Sequence, residues 1–324
     1  MKLTDAAKKG RTDAVVAALD DKESTNLQIL LRKVYQDFHT IKKSDDHFEL
    51  ARVLLSRGAK PEREMVCEAA RGGHHALIEL LQEEGLSADI FLAAATGNVE
   101  LAKHLIAERP DCVADCDSSG MTALHYCCSS VIWKNSDELE IAFGETCSRL
   151  LDAGSDIHAE GEYYGLTGVT PLFYCAWTGG HPGIAEQILH CGSEVTPRIF
   201  LAAMGHFQRH GDGNYAIAEK LIKHGFYVNH NDGRTALHAF ASHEDVRGVT
   251  WLIERGADHT ARDAEGNTPL IVAAGRNSGI KVLKALIDAG CPVSGINDLG
   301  LSALDVARSA GKAKSIAFLE ANNT

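Results

Sequence analysis

Apolar residues recur along most of this chain at helical spacing, and the pattern comes in pairs. The segment "GNTPLIVAAGRNSGIKVLKALIDAGCPVSGIND", from Gly266, shows one pair in full. Thr268-Pro269-Leu270 reads as a helix start. The threonine hydroxyl caps a free backbone N–H, and proline at the first helical position needs no donor. The small-residue stretch "LIVAAG" follows and lets a neighbouring helix come close. After a glycine and polar break, Ile280, Leu283, Leu286 and Ile287 line one face of a second helix. Gly290 ends it with the left-handed conformation that glycine adopts freely. Helices of about eight to twelve residues do not persist alone in water. Each pair also exposes an apolar face it cannot cover itself. Stacking the pairs, each sheltered by its neighbours alone, removes both problems and predicts a linear array.

The phrase repeats. "GRTALHAFASHEDVRGVTWLIERGADHTARD" opens at Gly233, and Gly233, Gly266 and Gly300 follow one another at 33 and then 34 residues. Gly120 opens "GMTALHYCC" and Gly168 opens "GVTPLFYCAWTGG". The second half recurs as "CSRLLDAGSDIHA", "IAEKLIKHGFYVN" and "VLKALIDAGCPVS". A period near 33 residues is a statement about architecture before it is one about chemistry.

These residues resemble the ankyrin repeat family. The resemblance is carried by Asp117-Gly120-Thr122-Leu124-His125, by Gly168-Thr170-Pro171-Leu172, by Asp232-Gly233-Thr235-Leu237-His238 and by Asp263-Gly266-Thr268-Pro269-Leu270. Its tail recurs at Gly154-Ser155-Asp156, Gly225-Val228-Asn229 and Gly256-Ala257-Asp258. The fold it implies is all-α: an ankyrin-repeat solenoid of about ten helix-turn-helix units with short β-hairpin connections, one domain over residues 1–324. Clear copies fall at about 117–159, 165–193, 229–261 and 262–294. Copies at about 61–87, 88–116 and 194–228 keep the helices and lose the Gly-x-Thr-Pro-Leu opening. The repeats proper thus run over about 61–294. An N-terminal cap is expected over about 3–24 and a C-terminal cap over about 295–324. An irregular unit with a lengthened first helix is expected over 25–60. In the family His125 and His238 would make structural hydrogen bonds between repeats, and one of His74 and His75 would be a turn residue.

Composition narrows the class. Hydrophobic residues make up 45% and charged residues 23%, as in an ordinary folded domain. No window approaches 18 apolar residues, so no membrane insertion is expected. The first segment reads as an amphipathic helix rather than a secretory signal. That favours a cytoplasmic chain whose nine cysteines are reduced thiols. Delivery as an effector by a non-classical route stays open. The formal net charge of −12 argues against nucleic acid and favours a protein partner with a basic surface.

Candidate chemistry is sparse. There is no Gly-rich phosphate loop, no Gly-x-Ser-x-Gly and no His-Glu-x-x-His. His206 and His210 share a segment with Asp212, but "HGDGN" breaks the helix a metal pair would need. Cys127, Cys128 and Cys175 replace alanines of first helices and read as small buried apolar groups. No catalytic residue, cofactor, metal or small-molecule ligand is expected. The expected function is non-enzymatic protein binding, as an adaptor, inhibitor or sequestering partner. A bacterial effector or toxin-neutralising protein would use the same binding mode. An enzyme with an unrecognised Cys/His site around 125–178 is the alternative of another class.

Departures from the repeat are where recognition is expected. Turns lengthen at about 36–46, 129–138 and 205–214, and the connection between the fifth and sixth units lengthens at about 160–168. Trp133, Tyr163 and Tyr164 stand there as candidate interface anchors. The resemblance implies further contacts at hairpin tips, at Ser118, Ser119, Met121, Asn231, Arg234, Ala264, Glu265, Asn267, Leu299 and Leu301. On the first helices it implies Tyr126, Tyr174, Trp177 and Phe240.

Overall fold

The computed structural model describes residues 3–20, 26–35, 45–163, 165–205, 213–243, 245–276 and 280–322. The extra length expected in the first helix of 25–60, and most of the lengthened turns at 36–46 and 205–214, lie outside the described residues. So do His206, His210, Asp212 and Tyr164.

Among the described residues twenty α-helices pair in sequence, giving ten pairs. The chain divides into two compact units, Met1–Glu194 and Val195–Thr324. The first unit begins with α1 (Leu3–Lys8) and α2 (Thr12–Asp20), α3 (Leu27–Tyr35) and α4 (Asp45–Ser56), then α5 (Arg63–Arg71) and α6 (His75–Glu83). It continues with α7 (Ile90–Thr96) and α8 (Val99–Glu108), α9 (Ala123–Ser129) and α10 (Asp137–Asp152), then α11 (Pro171–Tyr174) and α12 (Pro182–His190). The second unit holds α13 (Pro197–Ala203) and α14 (Tyr215–Lys223), and α15 (Ala236–Ala241) and α16 (Val246–Glu254). It ends with α17 (Pro269–Arg276) and α18 (Lys281–Asp288), and α19 (Ala303–Ser309) and α20 (Ala313–Ala321).

First helices stack on first helices: α5 on α7, α7 on α9 and α9 on α11 in the first unit, and α15 on α17 and α17 on α19 in the second. Second helices form the other layer, as α8, α10 and α12 do. Alanines make the close approach. Ala69, Ala70, Ala93, Ala94, Ala95, Ala273 and Ala274 are fully buried. In α18 the buried face is Val282, Leu283 and Leu286. Ile280, read from the sequence as the start of that face, precedes the helix and is partly exposed, so Val282 takes its place.

Among the described residues strand structure is confined to the tips. β1 (Gly161–Tyr163) pairs antiparallel with β2 (Leu166–Val169), and this hairpin is the lengthened connection at 160–168. Single antiparallel bridges, Cys116 with Thr122 and Ile296 with Ser302, close two other tips. The lengthened turn at 129–138 is a 3-10 turn, Ile132–Asn135. After α11 the chain continues as a π turn, Cys175–Gly179.

One expectation needs correction. In the first unit the pairs are not sheltered by their neighbours alone. α5, of the third pair, packs against α9, of the fifth, as well as against α7. The Val131 N–H donates to Ala70 O at 3.0 Å, and Cys67 Sγ lies 3.6 Å from Ser129 Oγ. The stack bends tightly enough for inner helices two steps apart to meet.

Close approach makes a testable claim about two glycines. A Cβ at Gly179 would sit 1.8 Å from Cys128 O, inside the core of the first unit. At Gly192 it would meet nothing within 4 Å, although φ is +91°. Gly179→Ala is expected to cost about 3 kcal/mol through overpacking, and Gly192→Ala about 1 kcal/mol through the left-handed backbone alone. Urea unfolding followed by circular dichroism compares them, and equal losses would contradict the packing described.

Candidate functional site

Each clear repeat begins with a threonine whose hydroxyl caps its first helix. Thr170 Oγ1 accepts from the Phe173 N–H at 3.2 Å, and Thr268 Oγ1 from the Ile271 N–H at 3.4 Å. Where histidine follows, the cap becomes a bridge. The Thr122 N–H donates to His125 Nδ1 at 3.0 Å, and His125 Nε2 lies 2.9 Å from Val169 O. A carbonyl has no proton to give, so Nε2 carries the hydrogen and Nδ1 the lone pair. His238 repeats this, with the Thr235 N–H on Nδ1 and Asn267 O facing Nε2 at 2.9 Å. These are the inter-repeat bonds expected for His125 and His238. His181 adds a third bridge, from the Ile184 N–H on Nδ1 to Glu140 O facing Nε2 at 3.0 Å.

At the tips, side chains replace missing backbone partners. Asp263 Oδ1 accepts from the N–H groups of Glu265 and Asn267, and Asn297 Oδ1 from those of Leu299 and Leu301. Successive tips also bond through their backbones, Ala264 N–H to Gly233 O at 2.8 Å and Asp298 N–H to Glu265 O at 3.3 Å. In the second unit this row walls a groove of about 830 Å³, lined among others by Arg234, Glu265, Asn267, Arg276, Leu301 and Val306. Arg234 is held in place by His238 O and Ser242 Oγ, and Asn231 donates to Arg262 O. Ile296, Leu299 and Leu301 stand exposed on the last tip, Leu299 at 80%. Five of the expected contacts, Arg234, Ala264, Glu265, Asn267 and Leu301, thus line one groove, with exposed Asn231 beside it.

The expected contacts on the first helices are different. Tyr126, Tyr174 and Phe240 are buried, which removes them as surface contacts. Tyr126 donates its hydroxyl to Asp117 Oδ2 at 2.8 Å. Met121 and Tyr163 line a groove of about 750 Å³ in the first unit, but both side chains are largely covered. Trp133 is not a free loop tip. Its indole N–H donates to Gly179 O at 2.8 Å, and its ring packs on His181.

Buried on the inner side of the first unit is Arg71, a residue that no repeat motif marks. Its guanidinium carbon lies 3.9 Å from the Tyr163 ring centroid, 4.9 Å from that of Tyr174 and 5.5 Å from that of Trp177. Only 3% of the residue is exposed. Glu68 Oε1 is 3.7 Å from Nη1, an ion pair without hydrogen-bond geometry. None of the three guanidinium nitrogens, nor the Tyr174 hydroxyl, has a hydrogen-bond partner among the described residues. A desolvated cation over an aromatic face gains about 2 kcal/mol. A buried donor left unmet costs about 1–3 kcal/mol, more when charged. The two effects are of similar size.

Cys127, Cys128 and Cys175 of the Cys/His region are buried. Burial pushes the Cys128 and Cys175 thiols up, whereas a nucleophile needs the thiolate. Both ring nitrogens of His125 are already engaged.

Burial holds the His125 pKa down to about 4, outweighing the bond to Val169 O, which favours the protonated ring. In the unfolded chain the ring takes its proton near 6.5. Between these values the unfolded state binds more protons, so this contribution makes stability rise with pH across that window and level off above it. A shift of this size is worth about 3 kcal/mol. His125→Gln is expected to remove that part of the slope while costing about 2 kcal/mol at pH 7. Urea midpoints between pH 4.5 and 7.5 check it, and an unchanged slope in the variant would count against a His125 ring held neutral by burial.

The sequence profile described as "Ankyrin repeats (3 copies)" matches residues 90–199 and 200–297, more than half of the chain. Neurogenic locus notch homolog protein 1 of Homo sapiens is 32% identical over 157 residues, 43% of this chain and 6% of that protein. The chain therefore spans only a small part of that relative's length. A putative ankyrin repeat protein of Acanthamoeba polyphaga mimivirus is 32% identical over 69 residues, 21% of this chain and 10% of that protein. The crystal structure of the human ASB11 ankyrin repeat domain aligns with a TM-score of 0.53 at 22% identity, covering 71% of this chain and 96% of that one. At that identity the likeness speaks for the all-α solenoid fold alone. With the profile match over most of its repeats, and helix pairs capped by threonine and bridged by histidine, the chain belongs to the ankyrin-repeat family.

Proposed function

We propose that the chain is a non-enzymatic protein-binding module and that its partner docks on the tip groove of the second unit. The observation that carries this reading is the row of tips itself. Backbone and Asx-type bonds fix its shape before any partner arrives, so little ordering entropy is lost on binding. Leu299 and Leu301 supply exposed apolar anchors at one end of the groove. Glu265 and Asp232 supply exposed carboxylates along it. The acidic balance of the whole chain, −12, favours a partner with a basic surface. An adaptor, an inhibitor and a sequestering protein would all use such a surface. No helix among the described residues is long and apolar enough to cross a membrane.

Affinity capture with the wild-type chain and with a Leu299→Asp, Leu301→Asp, Glu265→Lys variant tests the site. The variant is expected to lose at least tenfold in recovery of the partner while keeping its helical circular dichroism. Recovery that is unchanged would move the site elsewhere. The association rate with the captured partner is expected to fall as salt rises.

A further inference from the structure

The β1–β2 hairpin lies over the inner helices of the first unit as a segment added to the repeat. Its Tyr163 hydroxyl donates to Glu68 Oε2 at 3.4 Å, and the Tyr163 ring meets those of Tyr174 and Trp177. The Glu162 N–H donates to Ser119 O at 2.8 Å, Val169 O faces the His125 bridge, and Tyr163 sits on Arg71. Gly161, Gly165 and Gly168 punctuate it, the last two at φ of +83° and +64°. A Cβ at Gly161 would meet Met121 Cγ at 2.6 Å, so the segment is fitted closely to the tip it crosses. Its sequence, "EGEYYGLTG" from Glu160, is acidic and aromatic. Glu160 and Glu162 are exposed and make no ion pair among the described residues. Beneath it waits a buried cation with unmet donors. The hairpin gives Arg71 a π face and no acceptor.

We propose that this hairpin is a strap that fills, from within the chain, a recognition site for an acidic, aromatic segment of a partner protein, and that Arg71 is the group that reads that segment. A partner segment replaces the Tyr163 ring with an aromatic ring of its own. It adds a carboxylate to the guanidinium N–H groups, an interaction the strap does not make and one that guanidinium geometry favours. Tyr174 and Trp177 form the remaining walls, and the unmet Tyr174 hydroxyl is a second polar contact. The strap leaves with its own exposed Glu160 and Glu162, and its departure frees the Glu68 oxygen that accepts from the Tyr163 hydroxyl. Glu68 stays as the ion-pair partner of Arg71, and Glu64 is already bonded to Ser118 Oγ at 2.8 Å. This surface belongs to the first unit and stands whether or not the second unit's groove binds a partner.

The probe is a synthetic peptide of residues 160–169, acetylated and amidated, added to the full-length chain. In the wild-type chain the tethered strap outcompetes it through its high effective concentration. Tyr163→Ala empties the aromatic position. That variant is expected to bind the peptide at least tenfold more tightly than wild type, by fluorescence anisotropy of a labelled peptide. Adding Arg71→Met, which keeps the volume and removes the charge, is expected to abolish the gain. So is replacing both glutamates of the peptide with glutamine. Equal binding by wild type and a folded Tyr163→Ala variant, or binding that survives the loss of Arg71, would overturn the proposal. Hydrogen exchange on the wild-type chain decides independently if the variant does not fold. The Glu162 amide is expected to exchange at least tenfold faster than the Tyr126 amide of the core. Equal protection would show a fixed element rather than a strap.

Discussion

A helix of seven to nine residues cannot persist alone in water, and most helices of this chain are that short. Everything else in the structure answers this constraint. The alanine rows bring first helices close, the threonine caps save an N–H at each start, and the second helices close the layer behind. No single pair has a core. Each core lies between pairs, which is why the sequence must repeat its phrase for any copy of it to fold.

Close stacking traps polar groups, and among the described residues one device meets that cost at His125, His181 and His238. His125, His181 and His238 each accept from a helix-start N–H and face a carbonyl of an adjacent pair. A neutral imidazole is suited to this, with one donor and one acceptor on opposite edges. Asp305 shows the local half of the device. It accepts from the Ser302 N–H at 3.0 Å and from the Ser302 hydroxyl at 2.6 Å. A carboxylate has no donor with which to face a carbonyl, so the bond stays within its own pair.

The parts of this architecture that are local in sequence are legible in it. Thr-x-Leu, the left-handed glycines and the apolar spacing each act within one turn of helix, so ten pairs and their caps can be read residue by residue. The roles of His125 and His238 are legible for the same reason, because the repeat fixes where the facing carbonyl falls. The inner face of the first unit is not. The repeat pattern puts Tyr126, Tyr174 and Trp177 near the groove side of the first helices as an expectation only, and whether a side is open depends on what else reaches it. Arg71 reaches it from α5, and its ring partners come from a hairpin and a helix pair far downstream. Nothing around "CEAARGGHH" announces this, since a basic residue in the last turn of a helix is accounted for by the helix dipole alone. Trp133 is a similar case. Its loop is an insertion, but the indole N–H finds Gly179 O in the next pair.

The two units therefore use similar tips to different ends. In the second unit, bonds between successive tips leave the groove open and its edge residues exposed. In the first, the tip at Ser119 accepts a bond from the β1–β2 hairpin, and the hairpin lays a tyrosine over a buried cation. An apolar side chain at position 71 would fill that space without leaving donors unmet, and replacing a buried ion in this way is often neutral or stabilising. Hydrophobic packing alone therefore does not require a guanidinium there. A group that is held charged, dry and without hydrogen bonds, under a segment added to the repeat, is better suited to recognition than to support. The same curvature that brings α5 to α9 creates the enclosure in which the difference matters.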